Sequence, residues 1–249
     1  ENKFIYALKN EIKMYEKSSK IALKSIYLGG GTPSILSQVS LTNIMQKIHQ
    51  IFDTNSLKEI TFEANPEDIT NDKLTLFKQE GFNRISLGVQ SFIESECLFL
   101  GRGHSATQSH HACQLIKDHG NWNLSIDLMF GLKDSNKSSI LKSLNQAFSY
   151  SPNHLSTYGL TIEKNTLFHK NNIQNISDED ELDQYKTIIE GCEKRGYIQY
   201  EVSSFAKKSF ESVHNMHYWS YGNFVGLGPS GHSFLKPFRY SNPSDFSMY

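Results

Sequence analysis

The sequence predicts an α/β fold in which helices flank a parallel sheet that forms a barrel or part-barrel. Apolar strand-like runs alternate with helical patterns five times, and glycines stand at helix ends. Polar residues follow the strands at their carboxyl ends, where α/β proteins bind ligands, and this favours a barrel over a structural sheet. The 249 residues suffice for one large domain or two small ones.

The chain is organised around residues 25–33, where an apolar strand stops at three glycines that Thr32 and Pro33 follow. Glycine lets the backbone approach a ligand without an intervening side chain, and it accepts dihedral angles that other residues avoid. Proline fixes φ and removes a donor, so the strand must turn here. A plain tight turn is the alternative interpretation. Four later strand ends with polar residues favour a ligand site instead.

The remaining elements follow from periodicity and from capping residues. Helical spacing predicts helices at residues 3–17, 40–52, 70–80, 105–119, 135–150 and 177–195. Extended patterns predict strands at residues 25–30, 58–65, 83–90, 123–130 and 154–162, and a sixth extended segment at 197–205. Ser40 and Ser177 are predicted N-caps, because a hydroxyl there accepts from free helix N–H groups. Gly81, Gly120 and Gly196 are predicted to end helices.

Composition excludes several classes of protein. The 25 basic and 26 acidic residues give no reason to expect a nucleic-acid or membrane-surface partner. No stretch approaches the ~20 apolar residues of a membrane span. The cysteines, Cys97, Cys113 and Cys192, lack C-x-x-C spacing, and we expect them to pack as small hydrophobes in helices. This pattern favours a reducing, cytoplasmic compartment.

The two ends of the sequence indicate a fragment of a longer protein. Residue Glu1 stands directly in a helix-like pattern, and Tyr249 follows a polar, turn-rich stretch. We expect a strand to precede the leading helix in the complete protein, which leaves organellar targeting open. We predict a truncated part-barrel at residues 1–205 and, at 206–249, an aromatic, glycine-rich extension that packs on it and leads to an absent C-terminal domain.

Polar groups at the carboxyl ends of the strands form the candidate ligand site. They are Gly30, Gly31, Thr32, Glu63, Gln90, Arg102, Asp127 and Thr161. The glycine backbone and Glu63 suit an ammonium group, and Arg102 suits a carboxylate. Gln90 and Asp127 suit ribose hydroxyls, so the set fits a zwitterionic ligand with a sugar. Each side chain also has a structural alternative as a solvated strand end, a surface cation or a helix cap.

Four motifs in order and at matching spacing resemble one family of radical S-adenosylmethionine proteins. They are G-G-G-T-P-S at 29–34, E-A-N-P at 63–66, R-I-S-L-G-V-Q-S-F at 84–92 and D-L-M-F-G-L at 127–132. The family contains oxygen-independent coproporphyrinogen III oxidase and its haem-chaperone relative, and the resemblance covers residues 1 to about 240. It implies a partial, TIM-like (β/α)6 barrel, here without its first strand. It also implies that the eight strand-end residues contact S-adenosylmethionine.

One departure from the family concerns its iron–sulfur cluster. Family members hold a [4Fe-4S] cluster with a C-x-x-x-C-x-x-C loop, and this sequence contains no such motif. Cluster ligation needs closely spaced thiolates, which the three scattered cysteines do not provide. We therefore expect a cluster in the full-length protein only, and no reductive cleavage of S-adenosylmethionine by this chain. A missing first strand would also leave an open sheet edge beside residues 25–30.

The stretch 214–219 reads H-N-M-H-Y-W and resembles a segment of the haem-chaperone branch. A histidine can ligate haem iron, so His214 is the first candidate ligand, and Tyr218 and Trp219 can cover porphyrin faces. The further candidate ligands are His217 and His232. The alternative is that these residues only pack a loop of the barrel. The branch binds haem and passes it to acceptor proteins, which are the partners that the resemblance implies.

Three other functions stay open at this point. The oxidase branch removes carbon dioxide from the propionates of coproporphyrinogen III and uses the same barrel. A non-catalytic, cluster-less binding module that kept the barrel is the second alternative. An ordinary phosphate-binding barrel enzyme is the third, and no evident lysine or histidine nucleophile at a strand end supports it.

Overall fold

The computed structural model describes residues 1–249 and shows the predicted alternation of strands and helices. The helices are α1 Asn2–Lys13, α2 Gln38–Ile51, α3 Asn71–Gln79, α4 Glu94–Phe99, α5 Ala106–His119, α6 Lys137–Ser149, α7 Leu167–Lys170, α8 Asp178–Glu193 and α9 Val213–Trp219. The strands are β1 Ser25–Leu28, β2 Glu59–Ala64, β3 Arg84–Gln90, β4 Asn123–Phe130, β5 His154–Gly159, β6 Ile198–Gln199, β7 Ser204–Ala206, β8 His232–Leu235 and β9 Phe238–Ser241. Short 3-10 turns span Pro33–Ile35 and Pro66–Asp68.

One mostly parallel sheet carries the fold. Its seven strands have the order β1-β2-β3-β4-β5-β7-β6, and β8 and β9 form a separate two-stranded sheet. Strand β4 pairs in parallel with both β3 and β5, whereas β7 runs antiparallel to β5 and β6. The order is open at both ends, which confirms the predicted α/β part-barrel. Strand β1 lies at one end of the order, where the open edge was predicted.

Capping side chains define where several helices begin. Ser177 accepts a hydrogen bond from the backbone N–H of Asp180 at 3.1 Å, as predicted. The predicted N-cap at Ser40 is wrong, because the hydroxyl of Ser37 accepts from the Ser40 N–H at 3.3 Å and α2 begins at Gln38. The first helix is also shorter than predicted, since it ends at Lys13.

Two strand predictions differ from the structure at the carboxyl side of the sheet. The strand predicted at 154–162 ends at Gly159, so Thr161 lies beyond it. The single extended segment predicted at 197–205 is wrong, because the chain reverses between β6 and β7, where the Tyr200 N–H donates to the carbonyl of Ser204 at 3.1 Å. Helices α7 and α9 and the β8–β9 hairpin were not predicted, since elements this short carry little periodicity, and α4 was expected only as a helix-like stretch around Cys97.

The central strands have one apolar and one polar face. Ile85, Leu87, Ile126 and Leu155 are buried apolar residues of β3, β4 and β5. The alternate residues are polar, and in register Ser86 pairs with Ser125 and Ser125 pairs with His154. Because successive side chains of a strand point to opposite faces, helices cover one face and polar groups fill the other. The polar face carries the strand-end candidates.

The chain divides into two compact units. Unit 1 comprises Glu1–Thr61, Leu76–Phe82 and Ser212–Tyr249, and unit 2 comprises Phe62–Thr75 and Asn83–Glu211. In unit 1 the carboxylate of Glu11 accepts from the Gly228 N–H at 2.8 Å and from the Asn242 amide at 2.6 Å. These bonds fasten the C-terminal residues to α1. The predicted domain boundary at residue 205 stays a prediction.

Candidate functional site

Arg102 lies in unit 2 where the connection between α4 and α5 passes the end of β3. Its Nη2 donates to Oδ1 of Asn65 at 2.7 Å and lies 3.4 Å from the carbonyl oxygen of Gly88. Its Nε is buried and has no hydrogen-bond partner in the protein. A buried guanidinium nitrogen without an acceptor is costly, and a ligand carboxylate would supply one. The arrangement fits the carboxylate-binding role predicted for Arg102.

Gln90 ends β3 in an unusual backbone conformation. Its φ is +66°, a region that side chains other than glycine and asparagine seldom occupy, and the β3–β4 register shifts between Leu87 and Gln90. Such bulges redirect side chains at the ends of strands. A Cβ on Gly88 would lie 3.1 Å from Nε2 of Gln90 and 3.5 Å from Nη2 of Arg102. Glycine at this position therefore lets two predicted site residues approach each other.

Asp127 lies on the polar face of β4. The hydroxyl of Ser86 donates to its carboxylate at 3.1 Å, and Ser125 lies 3.5 Å from it. Burial raises the pKa of Asp127 to about 6, and the negative charge of Glu63 also raises it, while the hydroxyl bonds and Arg84 oppose the shift. The electrostatic effect of Glu63 indicates that the two predicted carboxylates lie near each other. At neutral pH Asp127 is mainly a carboxylate and can accept from hydroxyl groups.

Thr161 differs from the other predicted site residues of unit 2, because it contacts none of them. It is exposed, lies two residues past the end of β5 and makes no hydrogen bond. Its predicted contact with S-adenosylmethionine stays a prediction.

The glycine loop of unit 1 is open, as a ligand-binding backbone must be. Gly30 and Gly31 are exposed, and a Cβ built on either would meet no atom within 4 Å. Gly30 has φ +76°, so only glycine adopts its conformation readily, whereas Gly31 carries no such restriction. Thr32 precedes the 3-10 turn Pro33–Ile35 and is half-buried.

His214 lies in the first turn of α9, where β1 and β2 fix its position. Its Nδ1 is 3.0 Å from Oγ of Ser25, and its ring stacks on Tyr27 with 5.0 Å between ring centroids. The buried carboxylate of Glu59 accepts from the N–H of His214 at 3.0 Å. Burial lowers the pKa of His214, which favours the neutral ring that metal ligation needs. Its Nε2 makes no hydrogen bond within the protein.

The aromatic residues that follow His214 are partly exposed. Tyr218 is 41% exposed and stacks on Phe224 at 3.9 Å between centroids, and Trp219 is 44% exposed. The alternative histidines also use one ring nitrogen in a hydrogen bond and keep the other. Nε2 of His217 is 2.9 Å from the carbonyl of Asn223, and His232, at the start of β8, has Nδ1 2.8 Å from the carbonyl of Ser230.

The cysteines do not fit an iron–sulfur cluster. Cys97, Cys113 and Cys192 are free, buried and carried by the separate helices α4, α5 and α8, which confirms their predicted packing role. Burial raises the pKa of Cys97 to about 11 and of Cys113 to about 12, so both thiols stay protonated. The described residues contain no group of three or more His, Cys, Asp or Glu side chains placed to hold a metal ion.

Several contacts of the candidate groups were not predicted. Asn65 stands one residue past β2 and Gly88 inside β3, and only the folded structure shows that both contact Arg102. Ser25 and Glu59 lie far along the chain from His214. Their signal in the sequence is weak, since it consists only of a serine that starts β1 and a glutamate that starts β2.

Comparisons with known proteins identify the class of protein that this fold and these groups define. Residues 6–147 match the Radical SAM superfamily. The chain is 34% identical over 254 residues to the heme chaperone HemW of Bacillus subtilis, covering all of this chain and 67% of that protein. It is 37% identical over 211 residues to the heme chaperone HemW of Escherichia coli, covering 84% of this chain and 56% of that protein. The chain therefore belongs to the radical SAM superfamily and, within it, to the family of the heme chaperone HemW.

A solved structure supports the same fold. Coproporphyrinogen III oxidase (HemN) from Escherichia coli, a radical SAM enzyme, superposes with a TM-score of 0.85 and 21% sequence identity. The match covers 100% of this chain and 61% of that one. This confirms the predicted partial barrel. The helices of the chain fall short of the length and apolarity that a membrane-spanning helix needs.

Proposed function

We propose that this chain is the S-adenosylmethionine-binding and haem-binding part of a haem chaperone. The observation that carries the haem proposal is the free Nε2 of His214, whose other ring nitrogen is engaged by Ser25. The neutral imidazole of His214 would hold the haem iron, and the partly exposed rings of Tyr218 and Trp219 offer apolar surface for a porphyrin. The identity to HemW proteins supports this branch of the family over the oxidase branch.

The S-adenosylmethionine proposal rests on the polar groups of unit 2. Arg102, with a buried donor that lacks an acceptor, is proposed to pair with the ligand carboxylate. Gln90 and Asp127 are proposed to bind ribose hydroxyls, and Glu63 the ligand ammonium. We also propose that S-adenosylmethionine contacts the remaining predicted residues, which are Gly30, Gly31, Thr32 and Thr161. The thiols of this chain supply no cluster, so binding of S-adenosylmethionine, and not its cleavage, is proposed.

The partner and compartment follow from the same reasoning. A chaperone that binds haem reversibly must hand it to a second protein, so we propose a haem-accepting protein as the partner. Three free thiols buried in helices are typical of a reducing compartment such as the cytoplasm. We propose that location for the protein.

A haem titration of the chain tests the chaperone proposal. After circular dichroism shows a folded chain, the Soret band is followed for the wild type, for His214→Ala and for His49→Ala. His49 is an exposed histidine of α2 and serves as the matched control. We expect saturable one-to-one binding that His214→Ala loses and His49→Ala keeps. No saturable binding by the folded wild type would refute the haem proposal.

Calorimetry with S-adenosylmethionine tests the second binding function independently. Arg102→Ala should weaken binding by roughly 2–5 kcal/mol if the guanidinium pairs with the ligand carboxylate in a desolvated site. Arg102→Lys is the matched variant, because lysine keeps the charge and loses the planar, bidentate donor. Unchanged binding by Arg102→Ala would remove Arg102 from the site.

A further inference from the structure

A buried histidine ties together three segments of unit 2. His104 lies between α4 and α5 and is 3% exposed. Its Nδ1 is 3.0 Å from Oε2 of Glu67, in the 3-10 turn after β2, and its Nε2 is 3.1 Å from the carbonyl oxygen of Val89 in β3. Two hydrogen bonds at opposite sides of the ring fix both its position and its rotation. We call this contact between His104, Glu67 and Val89 the latch.

Each segment joined by the latch carries one polar group of the candidate site. Asn65 stands two residues before Glu67, Gln90 directly follows Val89, and Arg102 stands two residues before His104. The latch therefore holds the three backbone segments from which these side chains extend. The bond between Arg102 and Asn65 at 2.7 Å joins two of these segments a second time.

A glycine allows the segments to approach this closely. A Cβ on Gly103 would lie 2.9 Å from Oε1 of Glu67, closer than side chains tolerate. Glycine at position 103 therefore lets the side chain of Glu67 come close to the backbone beside His104. Together with the bulge at Gly88, this leaves the latch and the polar groups in one compact arrangement.

Both ring nitrogens of His104 are used in the latch. Both ring nitrogens face oxygen atoms, and the carbonyl of Val89 can only accept, so Nε2 carries a hydrogen. The carboxylate of Glu67 faces Nδ1. Hydrogen bonds to a carboxylate are stronger than hydrogen bonds between neutral groups.

We propose that His104 is a positioning residue for S-adenosylmethionine binding, and that it acts by holding the segments of Asn65, Gln90 and Arg102 in register. The inference rests on the proposed S-adenosylmethionine site. The ring does not contact the ligand itself. Its effect passes through Arg102, because that side chain extends from the segment that the latch fixes.

A double-mutant cycle with Arg102 tests this role by calorimetry with S-adenosylmethionine. We expect His104→Phe to weaken binding by about tenfold or more, since small misplacements of positioned groups cost this much. In an Arg102→Ala background, His104→Phe should weaken binding by less than about threefold. The two effects on affinity should not add, because His104 is proposed to act through Arg102. His110→Phe, at a half-buried histidine of α5 bonded to Tyr150, controls for the general cost of the replacement.

A second comparison changes the partner of His104 and leaves His104 itself unchanged. In Glu67→Gln the side-chain amide can donate to Nδ1 of the ring, so the hydrogen bond of the latch persists. We therefore expect Glu67→Gln to bind S-adenosylmethionine with nearly wild-type affinity.

The outcomes distinguish a failure of the proposed S-adenosylmethionine site from a failure of the proposed role of His104. No saturable binding of S-adenosylmethionine by the folded wild type refutes the proposed site. Saturable wild-type binding that His104→Phe leaves unchanged, or weakens equally with and without Arg102, refutes the positioning role alone. If His104→Phe does not fold, Glu67→Leu replaces it, because the Glu67 side chain is 30% exposed and its loss leaves no large cavity. Glu67→Leu should then weaken binding where Glu67→Gln does not, and equal affinity of the two would refute the role.

Discussion

Nδ1 of His214 lies 3.0 Å from Oγ of Ser25, across a sequence separation of 189 residues. Ser25 is the first residue of β1, and Tyr27, two residues later on the same face, stacks on the imidazole. A hydroxyl can accept from Nδ1–H, and that tautomer leaves the lone pair on Nε2 for a metal. One short strand therefore orients the ring, and in this tautomer Nε2 is the nitrogen that we propose for the haem iron.

Replacing Ser25 by alanine should weaken haem binding without abolishing it. The loss of a hydrogen-bond partner at the second nitrogen of a ligating histidine costs about tenfold or more in metal affinity. Ser25→Thr keeps the hydroxyl and suits a strand, so it should bind haem as the wild type does. Soret titrations of both variants make the comparison. Equal affinities of Ser25→Ala and Ser25→Thr would show that the hydroxyl does not orient His214.

Asp127 should make stability depend on pH. Burial raises its pKa from 3.8 to about 6, so the folded chain binds this proton more tightly than the unfolded chain does. Binding of this proton therefore stabilises the folded chain. The stabilisation is fully present below about pH 4 and is lost as pH rises through about 6. The side chain of Asp127→Asn does not titrate. The difference in the free energy of unfolding between Asp127→Asn and the wild type should therefore shift in favour of the variant by on the order of 2 kcal/mol from pH 4 to pH 8.

Urea unfolding of both proteins at several pH values measures this difference. Asp72→Asn, at an exposed carboxylate in the first turn of α3, is the matched control for replacing an aspartate by asparagine. A difference between Asp127→Asn and the wild type that stays constant from pH 4 to pH 8 would contradict the raised pKa.

The glycine loop provides a pair of variants with different expected effects. Because nothing lies within 4 Å of a Cβ at Gly31 and its φ is not positive, Gly31→Val should keep the free energy of unfolding within about 1 kcal/mol. It should nevertheless block S-adenosylmethionine, since its side chain fills the space above the exposed backbone. Gly30→Val should lose about 1–3 kcal/mol of stability as well, because φ is +76° there. Undiminished binding by Gly31→Val in calorimetry would remove this loop from the site.

The sequence was informative about the sheet and about which side chains stand at its carboxyl edge. The strand at Asn123–Phe130 was predicted with its observed bounds, because a long buried run between turn residues has few alternatives. Gln90 was predicted from its place at the end of β3 and Arg102 from its place just beyond that strand, and the structure brings both near Gly88. Thr161 was selected by the same rule, yet the strand stops two residues before it.

The unpredicted contacts share one physical cause, which is pairing between distant segments. The bulge at Gln90 appears only when β3 is registered against β4, so the approach to Gly88 has no local signal. The latch at His104 joins segments through single side-chain bonds that leave no periodic pattern. Helix α9 is too short for its spacing to be recognised, and the partners of His214 come from β1 and β2.

Glu59 should be the residue on which the position of α9 depends most. Its carboxylate, which is 3% exposed, accepts from the Ser212 hydroxyl at 3.1 Å and from the N–H groups of Val213 and His214 at 3.0 Å. Removing the carboxylate takes away the acceptor that these groups share at the start of α9. Glu59→Ala should therefore lose about 3 kcal/mol in the free energy of unfolding.

The same substitution should also weaken haem binding, because one of the released donors belongs to His214 itself. Glu59→Gln is the matched variant: it keeps one acceptor oxygen and loses the charge, so its losses in stability and in affinity should lie between those of the wild type and Glu59→Ala. Urea unfolding and Soret titration measure the two effects on the same samples. If Glu59→Ala were destabilised and yet bound haem with wild-type affinity, the ligand would not depend on α9, and His214 would be excluded as the residue that holds the iron.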